Sequence, residues 1–299
     1  MDEDRRRGLV TQGAAYFSAT LVALGVGLVL GGHEPWLRLG AADVAATVVV
    51  FAFSVRLSNS SLYDPYWSVA PPLLGMGWLA LEGDAVTVRQ ALAFALIFLW
   101  GARLTYSFFR GWPGLSHEDW RYRDLREKTG RAYWLVSFLG IHFFPTVLTF
   151  GGTVAYFAAA GGPAELSAID GAAAATTALG IWLETTADRQ LRDYVQDGPD
   201  AGAILVTGLW AHCRHPNYLG ELLFWWGIGL FAVAAGAPLV YALGGAAAIT
   251  LLFVFISIPM IERRMSVRRP GWAEHAQRVP VLIPWRVGPL SRRRPGANG

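Results

Sequence analysis

Residues 238–259 read PLVYALGGAAAITLLFVFISIP, a run of 22 residues without a charged side chain. About 20 consecutive apolar residues in a helix suffice to cross the hydrocarbon core of a membrane. The run therefore predicts a membrane-spanning helix, and it sets the pattern against which the rest of the chain is compared.

Seven other apolar runs extend this prediction to most of the chain. They lie at residues 14–32, 41–58, 66–82, 88–109, 133–160, 168–187 and 218–235. The runs at 66–82, which contains two prolines, and at 168–187 are the weakest candidates. The sequence thus predicts an all-α fold, a polytopic membrane bundle of about eight transmembrane helices within a range of roughly seven to ten.

Composition supports a membrane protein and excludes several other classes. Hydrophobic residues make up 54% of the chain and charged residues 16%, whereas a soluble domain carries about 25% charged residues. The net charge of +3 gives no case for nucleic-acid binding. The single cysteine, Cys213, excludes an internal disulfide and a multi-cysteine metal site. The six histidines are dispersed, and we predict no metal site.

The basic residues predict the orientation, because Lys and Arg accumulate in cytoplasmic loops. With eight spans and a cytoplasmic N-terminus, the inner segments hold 21 of the 25 basic residues, and the outer loops hold only Arg38 and Arg89. We therefore expect both termini in the cytoplasm. The excess of Arg over Lys, with abundant Ala and Gly, indicates a bacterial source and hence the inner membrane. We expect one domain over 1–299 with a disordered tail at 290–299.

The densest polar cluster beside a span is Arg214-His215-Pro216-Asn217-Tyr218-Leu219-Gly220-Glu221. Pro216 suits a first helical position, which puts Asn217 and Glu221 one turn apart on one helix face. A Glu that enters the membrane this early is costly without a partner, so it indicates a functional site. The alternative is a plain helix start with an interfacial His and an Arg that snorkels to the head groups.

Two charged segments follow later spans. Asp188 and Arg192 share a helix face after the sixth run, and Glu184 lies one turn earlier. These groups form either a structural network or contacts to a bound ligand. Glu262-Arg263-Arg264 ends the last run, and Arg268 follows it. The arginines either contact anionic lipid head groups or bind phosphate, for which the guanidinium fork is suited.

Two polar features lie in the first half of the chain. Arg103, inside the fourth run, either snorkels to the head groups or pairs inside a cavity. The loop from Ser58 to Trp67 carries hydroxyls, aromatic rings and a carboxylate between two runs. This loop is either an interfacial aromatic belt or a polar site.

The order of these motifs resembles the steroid 5-alpha-reductase superfamily, in particular its bacterial membrane branch. The residues that carry the resemblance span about 55–285 and are Asn59, Tyr63 to Trp67, Arg103 to Tyr106, Arg110 to Trp112, Asp119 to Tyr122, Asp188 to Arg192, Arg214 to Glu221, Glu262 to Arg264 and Leu282 to Trp285. The resemblance implies a helical membrane enzyme that binds NADPH from the cytoplasm. It implies hydride transfer to a carbon–carbon double bond conjugated to a carbonyl, in a lipophilic substrate that is steroid-like or isoprenoid.

The same resemblance implies roles for individual residues. Hydride attack on an enone builds negative charge on the carbonyl oxygen and calls for a positioned donor; the catalytic candidates are Tyr63, Asp64 and Tyr106. The implied cofactor-binding residues are Arg103, Asp188, Arg192, Arg214, His215, Asn217, Tyr218, Glu221, Glu262, Arg263, Arg264 and Arg268. Asn217 and Glu221 would contact the nicotinamide end, and the arginines after residue 262 the phosphates.

Two other functions stay open. The block at 214–221 also resembles the isoprenylcysteine carboxyl methyltransferases, which bind S-adenosylmethionine, although Gly220-Glu221 and the segment at Asp188 favour a reductase. A non-enzymatic lipid-binding membrane protein would keep the spans but would need no buried acidic groups facing one another. The expected partners are a lipophilic substrate and membrane lipids, and the sequence leaves the oligomeric state open.

Overall fold

The computed structural model describes residues 3–83, 85–163, 165–200 and 202–284. Within them the chain forms nine helices and no strand. The helices are α1 (Glu3–Val29), α2 (Pro35–Arg56), α3 (Tyr66–Glu82), α4 (Val88–Gly111), α5 (Trp120–Ala159), α6 (Ala168–Gln196), α7 (Pro216–Ala234), α8 (Leu239–Arg268) and α9 (Trp272–Arg278). The predicted all-α class is confirmed. The predicted tail at 290–299 and Trp285 lie outside the described residues.

Six of these helices are long and apolar enough to cross a membrane, namely α1, α2, α4, α5, α7 and α8. The chain is therefore a polytopic integral membrane protein. The two weakest predicted runs, 66–82 and 168–187, also lie in helices but fall outside this group. Helix α3 has 17 residues, and α6 carries several charged residues along its second half.

Two prolines account for the irregular turns within the long helices. A wide π-turn at Phe138–Phe143 precedes Pro145 in α5, and a second one at Phe253–Ser257 precedes Pro259 in α8. Proline has no backbone N–H and cannot continue the regular helical ladder, so the preceding turn widens. The turn in α5 carries His142, whose side chain is fully buried.

Contacts between residues divide the chain into two compact units. The first comprises Met1–Ala175 with Trp225–Ile249, and the second comprises Thr176–Phe224 with Thr250–Gly299. Helices α6, α7 and α8 each contribute residues to both units.

A buried ion pair fixes the start of α4 in the first unit. Arg89 Nε donates to Asp170 Oδ1 at 2.6 Å, and Nη2 donates to Oδ2 at 3.0 Å. The guanidinium also donates to the carbonyl oxygens of Pro163 and Glu165, at 2.6 and 3.0 Å. The fork geometry of Arg suits this two-point contact. Arg89 therefore ties α4 to the first turn of α6.

In the second unit α6 and α7 cross in backbone contact. A Cβ atom on Gly180 would lie 2.6 Å from the Gly220 carbonyl oxygen and from the Phe224 nitrogen. A Cβ atom on Gly220 would lie 2.6 Å from the Glu184 nitrogen. Neither position has room for a side chain, which is typical of close helix packing in membranes.

We predict that Gly220→Ala destabilises the protein by about 1–3 kcal/mol, because the added methyl group forces two backbones apart. Gly171→Ala on α6 is the matched control, since a Cβ there would meet no atom within 4 Å. Removal of a helical glycine should make this control neutral or slightly more stable. Melting temperatures in detergent compare the two variants, and equal values would contradict the crossing.

Candidate functional site

Arg214 ties the C-terminal segment to the start of α7 in the second unit. Its Nε donates to Glu262 Oε1 at 2.8 Å, and its Nη1 donates to the carbonyl oxygens of Ala276 and Val279 at 2.6 and 2.7 Å. His215 Nε2 lies 3.1 Å from the same Glu262 oxygen. Three predicted cofactor ligands, Arg214, His215 and Glu262, thus bind one another and the protein backbone.

A second group of predicted residues meets where α6 and α7 run side by side. Asn217 Nδ2 donates to Asp188 Oδ1 at 3.4 Å, and both side chains are half-buried. Arg192, one turn further along α6, is also half-buried, whereas Glu221 of α7 is 2% exposed. The Gly180–Gly220 crossing brings these helices close enough for the Asp188–Asn217 contact.

The remaining predicted cofactor residues lie around these two groups. The Tyr218 ring stacks on His215 with centroids 5.4 Å apart and meets the Phe253 ring edge-on at 4.6 Å. Arg263 and Arg268 are exposed on α8, and Arg264 is half-buried there. Arg103 belongs to the first unit, where it is half-buried on α4.

Asp64 forms a hydrogen-bonded pair with a tyrosine in the first unit. The Tyr122 hydroxyl donates to Asp64 Oδ1. Burial raises the pKa of Asp64 to about 6, against the opposing effects of the Arg121 charge and the Tyr122 hydrogen bond. A carboxyl group in this range exchanges its proton close to neutral pH, as a general acid must.

Asp64 also lines a partly open cleft of about 150 Å³. The cleft is lined by Ser61, Asp64, Phe108, Gly111, Trp112, Pro113, His117 and Asp119. Asp119 N–H donates to Ser61 Oγ at 2.8 Å, and the Asp119 carboxylate accepts from the backbone and guanidinium of Arg121. The cleft therefore lies where α2 and α4 end and α5 begins.

The two other predicted catalytic tyrosines lie away from this cleft. The Tyr63 hydroxyl is 2.8 Å from Thr146 Oγ1 in the buried interior, and Tyr106 is 64% exposed on α4. The tyrosine that contacts Asp64 is Tyr122. Its motif, Asp119 to Tyr122, was recognisable from the sequence, but no local pattern pairs residues that are 58 positions apart.

A second carboxyl–tyrosine pair lies within α2 and α3. Asp43 is 3% exposed, and its Oδ1 accepts from the Tyr66 hydroxyl at 2.7 Å. Its Oδ2 atom is buried and has no hydrogen-bond partner among the described residues. Sequence reasoning missed Asp43, although an acidic residue inside an apolar run is a signal of function in its own right.

Hydroxyl groups surround this second pair. Thr47, one turn after Asp43, contacts Thr146 with 2.8 Å between the two Oγ1 atoms. Thr146 in turn contacts the Tyr63 hydroxyl, and the Tyr63 and Tyr66 rings pack with centroids 5.3 Å apart. Asp43 therefore belongs to a polar interior and is not an isolated acid in an apolar core.

Residues 50–279 match a family model described as "Protein of unknown function (DUF1295)". The chain belongs to the DUF1295 family. It is also similar to "Uncharacterized protein C594.04c" of Schizosaccharomyces pombe, with 29% identity over 215 residues. The similar region covers 64% of this chain and 62% of the yeast protein, so less than two thirds of that relative is spanned. No solved structure matches the chain.

The DUF1295 region contains most of the groups described above. Asp64 with its cleft, the Asp188–Asn217 contact and the Arg214 network all lie within residues 50–279. Asp43 precedes the matched region, whereas its partner Tyr66 lies inside it.

We predict that Asp64 makes the stability of this DUF1295 protein depend on pH. Folding raises the pKa of this carboxyl from its ordinary 3.8 to about 6, so the folded state binds more protons between these values. The stability contributed by Asp64 is full below about pH 4 and is lost as the pH rises through about 6. The melting temperature should therefore fall over this range relative to Asp64→Asn, and parallel curves for the two proteins would contradict the assignment.

Proposed function

We propose that this protein is an NADPH-dependent membrane reductase. It would transfer a hydride to a carbon–carbon double bond conjugated to a carbonyl, in a lipophilic substrate such as a steroid-like or isoprenoid enone. The observation that carries this proposal is Asp43, a buried acid within a membrane span whose Oδ2 atom has no partner among the described residues.

The surroundings of Asp43 favour its neutral form. A carboxylate buried away from water costs several kcal/mol unless several donors replace its lost hydration. Asp43 Oδ1 receives one hydrogen bond, from Tyr66, so Oδ2 is the oxygen that would carry the proton. A neutral acid at this depth is a donor that requires an acceptor.

The carbonyl oxygen of a lipophilic enone can accept a hydrogen bond from this donor. As a hydride adds to the double bond, negative charge develops on that oxygen, and a fixed donor stabilises the charge. Asp43 would donate a hydrogen bond through Oδ2 and then pass its proton to the enolate oxygen, and the resulting enol would tautomerise to the saturated carbonyl compound. Asp43 would regain its proton from solvent, while Tyr66 holds the carboxyl group in place. Asp43 and Tyr66 are thus the proposed donor set. Tyr63 belongs to the hydroxyl network beside them, whereas Tyr106 is 64% exposed on α4.

Polar groups of the second unit suit the polar parts of NADPH. Asp188 and Asn217 are half-buried and would bind hydroxyl and amide groups, and the exposed Arg263 and Arg268 would bind phosphate oxygens in bidentate fashion. NADPH, when bound, supplies the hydride. The Arg214 network would hold the C-terminal segment against α7 and so keep this surface in shape.

The orientation follows from the same proposal. The basic residues concentrate in the segments assigned to the inner side, and a soluble dinucleotide must be bound from the cytoplasm. We therefore place both termini in the cytoplasm and the protein in a bacterial inner membrane.

A membrane methyltransferase is the second candidate, because the block at 214–221 resembles those enzymes as well. Transfer of a methyl group requires a nucleophile on the substrate but no buried proton donor. The Asp43–Tyr66 pair therefore favours the reductase over both the methyltransferase and a lipid-binding protein.

We expect about 1 mM NADPH to raise the melting temperature of the detergent-purified protein, since a ligand bound by the native state stabilises it. Asn217→Ala and Glu221→Ala should abolish the shift, while Gln196→Ala, exposed at the end of α6, should retain it. A shift with S-adenosylmethionine alone would favour the methyltransferase. No shift with either compound would remove the support for both enzymes.

We expect Asp43→Asn to lower NADPH-dependent turnover about 10²- to 10⁴-fold, the usual contribution of a positioned proton donor. Progesterone and β-ionone represent steroid-like and isoprenoid enones, and loss of NADPH absorbance reports turnover. Thr153→Val is the matched control, because among the described residues this buried hydroxyl bonds to the Thr149 carbonyl of its own helix alone. Equal loss in both variants would contradict a role for Asp43.

A further inference from the structure

The cleft beside Asp64 has polar and aromatic walls. Candidate spans α2 and α4 end at Arg56 and Gly111 next to it, a position that suits the boundary between lipid head groups and hydrocarbon. Phe108 and Trp112 contribute apolar surface, with their rings stacked at a centroid distance of 5.9 Å. A ligand here would place a small polar group beside an apolar body.

Trp112, which lines the cleft, carries a hydrogen-bond donor without a partner in the described part of the chain. Trp112 is 5% exposed, and its Nε1 atom is buried without an acceptor among the described residues. A buried N–H without an acceptor costs about 1–3 kcal/mol, so a ligand in the cleft that supplied an acceptor to Trp112 would gain stability from this contact.

Contacts with the first turns of α1 fix this tryptophan. A Cβ atom on Gly8 would lie 2.6 Å from Trp112 Cη2, so the benzene edge of the indole packs against α1. The edge that carries Nε1 consequently faces away from α1. Asp4 accepts from Ser116, and Arg5 donates to the Phe109 carbonyl at 2.8 Å, so the loop on both sides of Trp112 is held as well.

Asp64 supplies an acceptor in the same cleft. The Tyr122 and Ser61 hydroxyls are hydrogen-bonded to its carboxylate, which can accept further hydrogen bonds. Asp119, the other acid of the cleft, is already neutralised by Arg121 at 2.8 Å. The residues that line the cleft include no Lys or Arg, which argues against a phosphate or carboxylate ligand.

We propose that this cleft binds the hydroxyl group of a lipophilic alcohol, with Asp64 as acceptor and Trp112 Nε1 as donor. A hydroxyl is a small group that both donates and accepts hydrogen bonds. It can therefore donate to Asp64 and accept from Trp112 at the same time. The apolar part of the alcohol packs on Phe108 and continues into the lipid. This site is independent of the proposed reductase activity.

The test uses farnesol carrying a photoreactive diazirine on its chain, with the full-length protein in lipid nanodiscs. Crosslinks should concentrate in the peptide that spans residues 108–119, and unlabelled farnesol should compete for them. Farnesyl methyl ether, which cannot donate to Asp64, should compete at least about tenfold more weakly. Farnesylamine tests whether the acids of the cleft bind a cation instead.

Trp112→Phe keeps an aromatic ring but removes the N–H, and it should weaken competition by farnesol about five- to tenfold. Trp134→Phe is the matched control, because Trp134 packs against Arg126 on α5. Asp64→Asn is a second variant, which removes the carboxylate acceptor and leaves Trp112 unchanged. It should also weaken the binding of farnesol.

Four results would overturn the proposal. Labelling spread evenly over the lipid-facing helices would mean simple partition into the membrane. Equal competition by alcohol and ether, or equal affinity in Trp112→Phe and Trp134→Phe, would remove the hydroxyl contact. Stronger competition by farnesylamine would identify a cation site. None of these outcomes depends on NADPH turnover, so failure here is distinct from failure of the reductase proposal.

Discussion

A polar group buried in a membrane must find its hydrogen-bond partners within the protein, because lipid supplies none. This constraint accounts for several buried polar contacts among the described residues. Arg89 pairs with Asp170, Thr47 with Thr146, and His142 lies between the Ser137 carbonyl and the Ser54 hydroxyl. Each contact joins two helices or two turns, so the need to satisfy polar groups also fixes how the helices pack.

Buried polar groups that lack a hydrogen-bond partner are therefore informative, because a ligand could supply the missing partner. Asp43 Oδ2 and Trp112 Nε1 are both buried without a partner among the described residues. Other buried side chains share this property, for example Trp78 Nε1 and Tyr156 Oη. Asp43 and Trp112 stand apart because the first lies on candidate span α2 beside Tyr66 and a group of hydroxyls, and the second lines a cleft. These different surroundings suit two different ligands.

Small residues have the complementary role in the second unit. Because Gly180 and Gly220 let two backbones touch, the residues one and two turns away on α6, Glu184 and Asp188, come to lie beside α7. The Arg214 network then holds the segment after α9 against the start of α7. The helix crossing and the hydrogen bonds of the Arg214 guanidinium group thus hold polar residues of this unit in position.

The sequence by itself determined the helical class, the positions of the apolar segments and the cluster at 214–221. Hydropathy is a property of a continuous stretch of chain. A span such as 238–259 can therefore be recognised without knowing which helices pack against it. The sequence also singled out Asp64 and Asn217. Their partners are 58 and 29 positions away, and Asp188 was found only because it stood in a charged segment of its own.

Only the tertiary structure decided which side chains meet. It paired Asp64 with Tyr122, turned the Tyr63 hydroxyl towards Thr146, and joined Asp43 to Tyr66 across two helices. The physical reason is that helix rotation and crossing are set by the packing of many residues at once, such as the contact at Gly180 and Gly220. Local spacing fixes the face of a helix on which a residue lies, and packing selects the neighbour that this face meets.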